Sequence, residues 1–128
     1  FKPGDVVYSK IRPNLRKCIV ADFDGLCSAE MYALRPIKGM ITSRFLFDIL
    51  LSDHFTKFAV SRCVRTGIPK INRLELAEYR APIPPPDIQE DYSSQLVAID
   101  NLYSTATHHM NNIKSIRTEL LNALFASP

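Results

Sequence analysis

From Asp87 to Ser127 the chain contains neither proline nor glycine, whereas the stretch leading into it reads Ala81-Pro-Ile-Pro-Pro-Pro-Asp-Ile-Gln-Glu90. Proline lacks a backbone donor and clashes with the preceding turn, so no helix runs through such a stretch, although one starts readily behind it. Asp87, with Glu90 three residues on, predicts the helix start, a capping-box pattern with Asp in place of Ser or Thr. From there Tyr92, Leu96, Ile99, Tyr103, Ala106, Met110, Ile113, Arg117, Leu120 and Leu124 recur at alternating steps of four and three, the spacing of a heptad seam. Leu102, Ile116 and Leu121 widen it. At 1.5 Å per residue such a helix is roughly 55–60 Å long and cannot cover that face by itself.

The predicted helix-packing residues are therefore Leu96, Ile99, Tyr103, Ala106, Met110, Ile113, Leu120 and Leu124, and they call for a second helix. Small Ala106, charged Arg117 and bulky Tyr103 make the seam imperfect. An antiparallel partner, or a helix from outside this sequence, fits as well as a parallel homodimer. A long helix lying on its own domain is the plainer alternative, and the excess over the usual 8–20 residues counts against it.

Charge divides the chain at the same place. Residues 1–86 hold 14 Lys and Arg against 8 Asp and Glu, a net of +6, while residues 87–128 hold 2 against 5, a net of −3. Two regions follow: a basic head at 1–86 and a mildly acidic helix at 87–128. The expected class is α/β (α+β), a small mixed head of short strands and helices followed by a long C-terminal coiled-coil-like helix.

Within the head, Pro3-Gly4-Asp5 marks a turn and Val6 to Ile11 a strand that Arg12-Pro13-Asn14 interrupts. Cys18–Ala21 and Met31–Leu34 read as two more strands, paired as a hairpin across Asp22-Phe23-Asp24-Gly25. Thr42 or Ser43 is placed to cap one helix whose apolar stripe is Phe47, Leu50, Leu51, Phe55 and Phe58. Gly67-Ile68-Pro69 breaks the chain, a helical turn is expected near Leu74–Leu76, and Tyr79–Ile83 reads as a last strand.

Two stretches of the head carry bases and no acids. Lys10, Arg12, Arg16 and Lys17 lie in the first; Lys57, Arg62, Arg65, Lys70 and Arg73 lie in the second. Such clusters among turn-formers suit DNA phosphates, and the guanidinium fork also suits guanine edges. Asn14, on an expected loop, has the amide to pair with adenine. Candidate DNA-contacting residues are thus Lys10, Arg12, Asn14, Arg16, Lys17, Arg62, Arg65 and Lys70. A solvated basic face accounts for the same surplus equally well.

Enzyme signatures are missing: no Gly-rich phosphate loop, GxSxG, HExxH or dinucleotide fingerprint occurs. Asp22 and Asp24 fall in an expected turn, and no local base accompanies Cys27 or Cys63. No catalytic residue, metal or cofactor is expected, since His54, His108 and His109 lack partners at ligand spacing. Three cysteines without a CxxC pair fit a reducing cytoplasm better than a disulfide scaffold. No apolar run is long enough for a membrane span, and with Phe1 rather than Met at its start the chain is expected to be a piece of something longer.

Three of these segments resemble the DNA-specificity subunit of type I restriction–modification systems. Lys2-Pro-Gly-Asp-Val-Val-Tyr-Ser-Lys-Ile-Arg-Pro-Asn-Leu-Arg-Lys17, Gly25-Leu-Cys-Ser-Ala-Glu-Met-Tyr-Ala-Leu-Arg-Pro36, and Thr66-Gly-Ile-Pro-Lys-Ile-Asn72 running on to Pro82-Ile-Pro-Pro-Pro-Asp-Ile-Gln89 follow that family's motifs in order. The resemblance implies the latter part of a target recognition domain plus its spacer helix. It implies double-stranded DNA as ligand, one half of a split target read by the head, and a spacing set by helices that pair antiparallel. Catalysis would belong to methyltransferase and motor–nuclease subunits. Two alternatives remain: a protein-interaction fragment acting through its helix, and the recognition domain of a fused restriction–methyltransferase enzyme.

Overall fold

The computed structural model describes residues 1–63 and 67–126. The chain divides into two compact units, Phe1–Glu90 and Asp91–Pro128.

Three strands form one antiparallel sheet in the order β2-β1-β3: β1 is Val6–Ser9, β2 is Cys18–Val20 and β3 is Met31–Leu34. All three lie where the sequence places strands, with β1 ending before Ile11. The hairpin does not form. β2 and β3 both pair with β1, Val7 standing opposite Ile19 on one side and Ala33 on the other. The reason is burial: every residue of β1 is buried, and a strand reading Val-Val-Tyr loses least when it occupies the middle. The turn expected to join β2 to β3 instead binds the chain start, Gly25 exchanging two bonds with Phe1 at 2.8 and 3.0 Å.

Side chains alternate across a strand, so Val6 and Tyr8 share one face, together with their neighbours Leu34, Cys18 and Tyr32. That face meets Leu50, Phe55, Ala59 and Ile71 in the core. Tyr8 packs edge-on against Phe55, and Phe55 against Tyr79, with centroids 5.4 and 4.9 Å apart. Burying each such side chain is worth about 1.5–3 kcal/mol.

The single helix expected after Thr42 is two helices, α1 Ser43–Leu51 and α2 Asp53–Ser61. Thr42 rather than Ser43 is the cap, its hydroxyl accepting from the Phe45 amide at 3.1 Å. Ser52 makes the break. Its backbone is extended, and its Oγ donates to the Ile49 carbonyl at 2.7 Å while accepting from the Phe55 amide at 3.1 Å. One hydroxyl thereby ends α1 and starts α2, the competition with helical bonding that makes serine a cap former.

α3, Arg73–Ala77, covers the expected turn and opens with a reciprocal capping box between Asn72 and Glu75. Tyr79–Ile83 is not a strand; Pro82 has no donor for a ladder, and Tyr79 is committed to ring contacts with Phe55 and Phe58.

α4 runs from Pro86 to Phe125, with Pro at the position helices tolerate best and Asp87 in the first turn. Gln89 in that turn is fully buried. No helix among the described residues is long and apolar enough to cross a membrane.

Candidate nucleic-acid interface

The two acid-free basic stretches, about sixty residues apart in sequence, meet through the backbone. Ile11 bridges Lys70 antiparallel; the Arg12 amide donates to Pro69 O at 2.8 Å, and the Ile71 amide donates to Lys10 O at 3.0 Å. Lys10, Arg12 and Lys70 therefore sit along one short ladder. Tyr32 on β3 extends it: its ring centroid lies 5.6 Å from Lys10 Nζ and 6.0 Å from the Arg73 guanidinium. Both are within reach of a cation–π attraction.

Within the first of these stretches the chain makes a tight loop. Pro13–Leu15 is a single 3-10 turn with Pro13 buried, flanked by Arg12 and Arg16, both with φ of 49°. The Leu15 amide donates to Arg12 O, the Arg16 amide donates to Pro13 O, and the Ser9 amide donates to Lys17 O. Asn14 and Lys17 are exposed on this loop, and Leu15 is 47% exposed beside them.

The predicted cations differ in what else they bind. Arg16 donates to the Leu51 carbonyl at 3.1 Å and pairs with Asp53, so it is tied to the α1–α2 junction. Arg62 pairs with Glu78 at 2.9 Å and lies over Phe58. Lys10 is 3.9 Å from Glu30. Arg12, Lys17 and Lys70 are exposed and have no carboxylate partner among the described residues. Arg65 lies outside the described residues.

Arg73 was not among the candidates, though it belongs to the acid-free stretch. Only the folded chain sets it on Tyr32.

Elsewhere the titratable groups serve the fold. Asp5 is 3% exposed and takes a bidentate grip from Arg35, 2.7 Å for each bond, plus the Lys2 amide at 2.9 Å. The Arg35 guanidinium holds its carboxyl well below the usual carboxylate range. Burial pushes the Cys18 thiol up to about 12, which keeps it a protonated thiol rather than a nucleophile. Among the described residues no group of three His, Cys, Asp or Glu is placed to hold a metal.

On α4, the predicted seam is exposed at Ile99, Tyr103, Met110, Ile113, Leu120 and Leu124, as is Ala106, whereas Leu96 is half-buried.

The chain is 36% identical over 126 residues to the type I restriction enzyme EcoDI specificity subunit of Escherichia coli, covering 98% of this chain and 28% of that protein. It is 26% identical over 130 residues to the MjaVIII specificity subunit of Methanocaldococcus jannaschii, covering 97% and 31%. To the HindI specificity subunit of Haemophilus influenzae it is 24% identical over 130 residues, covering 98% and 28%. It thus spans less than a third of the length of these relatives. The family described as type I restriction modification DNA specificity domain matches residues 1–116, and to that family this chain belongs.

Proposed function

We propose that the chain is a DNA-recognition module of a type I restriction–modification specificity subunit, in which the head contacts double-stranded DNA and α4 serves as a spacer. The observation that carries this is the backbone ladder joining Lys10–Arg12 to Pro69–Ile71, which brings two acid-free stretches and their cations side by side. Family membership supports the same reading. The head takes one half of a split target and α4 packs on a second helix, from the same protein or from another copy. Methylation and cleavage then fall to methyltransferase and motor–nuclease subunits, with no catalytic group on this chain.

Titrating the intact chain onto a mixed-sequence duplex across a salt series tests this. If these cations neutralise several phosphates, log K falls linearly with log salt, by roughly 0.9 per phosphate neutralised. A chain that ignores duplex DNA, or binds it independently of salt, is no such module.

A second reading, association through α4 with the basic head incidental, is favoured by one observation. Tyr103 is 76% exposed and Leu124 74% exposed on a helix that presents an apolar seam. Sedimentation of the intact chain beside the duplex titration separates the two: self-association without DNA binding favours this second function.

A further inference from the structure

Arg12 and Arg16 share an unusual backbone. Each has φ of 49°, a left-handed conformation in which Cβ crowds the following carbonyl and which glycine alone adopts freely. An arginine held there on both sides of a single turn costs backbone energy that glycine would not. Strain of this kind points to something the side chains supply.

The two side chains supply different things. Arg16 is bonded twice to another part of the fold, donating to the Leu51 carbonyl at 3.1 Å and pairing with Asp53 at the start of α2. Arg12 is exposed, with no ion-pair partner among the described residues, and its backbone is pinned to Pro69 next to exposed Lys70.

We propose that these two arginines divide the work of the loop: Arg12, together with Lys70, grips DNA phosphate, and Arg16 is a positioning residue that holds the loop against the α1–α2 junction. This rests on the DNA-binding function proposed above. Arg16 spends its charge on Asp53 and contributes geometry, so the turn carrying Asn14 and Leu15 is ordered before DNA arrives. Arg12 contributes a counter-charge to the polyanion.

The salt dependence of binding separates the roles, because only a group that neutralises a phosphate changes the slope. With the intact chain and a mixed-sequence duplex, Arg12→Gly lowers affinity and reduces the slope of log K against log salt by about one. Its melting temperature stays level or rises, since glycine relieves the left-handed strain. Arg16→Ala lowers affinity with an unchanged slope and lowers the melting temperature.

Should Arg16→Ala fail to fold, Arg16→Gln decides, since it removes the charge and keeps an amide that can donate to the Leu51 carbonyl. A positioning Arg16 then leaves the slope unchanged. A phosphate-binding Arg16 lowers it by about one. A slope that drops in Arg16→Ala or in Arg16→Gln, or one unaltered in Arg12→Gly, overturns the division while leaving DNA binding intact. Absence of salt-dependent binding by the unsubstituted chain overturns the DNA-binding function itself.

Discussion

The amide of Thr42 donates to the side-chain oxygen of Gln89 at 2.9 Å, and the same amide group of Gln89 donates to the carbonyls of Met40 and Pro84 at 2.8 and 2.7 Å. A fully buried side chain thereby satisfies three backbone groups and ties the first turn of α4 to the approach of α1. Removing it leaves those groups dry and unpaired, at about 1–3 kcal/mol for each buried group left without a partner. Gln89→Ala is expected to lower the unfolding free energy read from a urea titration by an amount in that range or above. Gln89→Glu keeps the shape but turns a carboxylate toward two carbonyls. It is expected to be the worse of the two at neutral pH and to recover in acid, where protonation restores one donor. Urea titrations of both variants at two pH values check this.

Acid stability should hinge on Asp5. Its carboxyl is almost fully covered while the Arg35 side chain is 65% exposed, and the guanidinium beside it depresses its pKa. A carboxylate with a lowered folded pKa contributes stability that is complete above the ordinary aspartate value of about 3.9 and is lost as pH falls toward the folded value. Unfolding midpoints of the chain are therefore expected to drop below about pH 4. Asp5→Asn should be less stable at neutral pH and flatter in acid; equal acid slopes for both proteins would place the sensitivity elsewhere.

Tyr8 presents the opposite problem. Its ring is buried in the core, yet its hydroxyl finds no hydrogen-bond partner among the described residues, and burial raises its pKa to about 12. Tyr8→Phe deletes an unsatisfied polar atom and keeps the ring packing on Phe55. The substitution is expected to be neutral or stabilising by about 1 kcal/mol, where removal of a hydrogen-bonded hydroxyl would cost a similar amount. Thermal melts of the two proteins decide the sign.

Local signals in the sequence were enough to find β1, β2, β3, the short helix and α4, because the β-branched and aromatic residues of the strands and the heptad spacing of α4 are local, although they also suggested a strand at Tyr79–Ile83 that the fold lacks. Strand order is a different kind of fact. Nothing local tells Cys18–Val20 and Met31–Leu34 that both will pair with β1 instead of with each other. Ser52 interrupts an apolar stripe whose spacing is the same on one helix or two, so only its bonds to Ile49 and Phe55 reveal the break. The basic stretches were legible from composition. Which cations they leave available was not, since Glu30, Asp53 and Glu78 come from other segments to meet Lys10, Arg16 and Arg62. The place of Arg73 beside Tyr32, which no local signal carries, depends on the fold of α3.

Ser52 itself can be tested. Ser52→Ala removes the acceptor for the Phe55 amide and the donor to Ile49 O together. Loss of a serine cap costs about 0.5–2 kcal/mol. The fall in stability should sit in the upper half of that range, because the hydroxyl serves two helix ends. Ser52→Asp keeps the acceptor at the start of α2 and adds a charge that its helix dipole favours, but loses the donor and sets a carboxylate against Ile49 O. It is expected to recover only part of the loss. Because Arg16 is anchored on Leu51 and Asp53, the two neighbours of Ser52, amides in the loop of residues 12–16 should exchange faster in Ser52→Ala. Hydrogen exchange unchanged in that loop, with stability lowered, would show that α1 and α2 hold their junction without this cap.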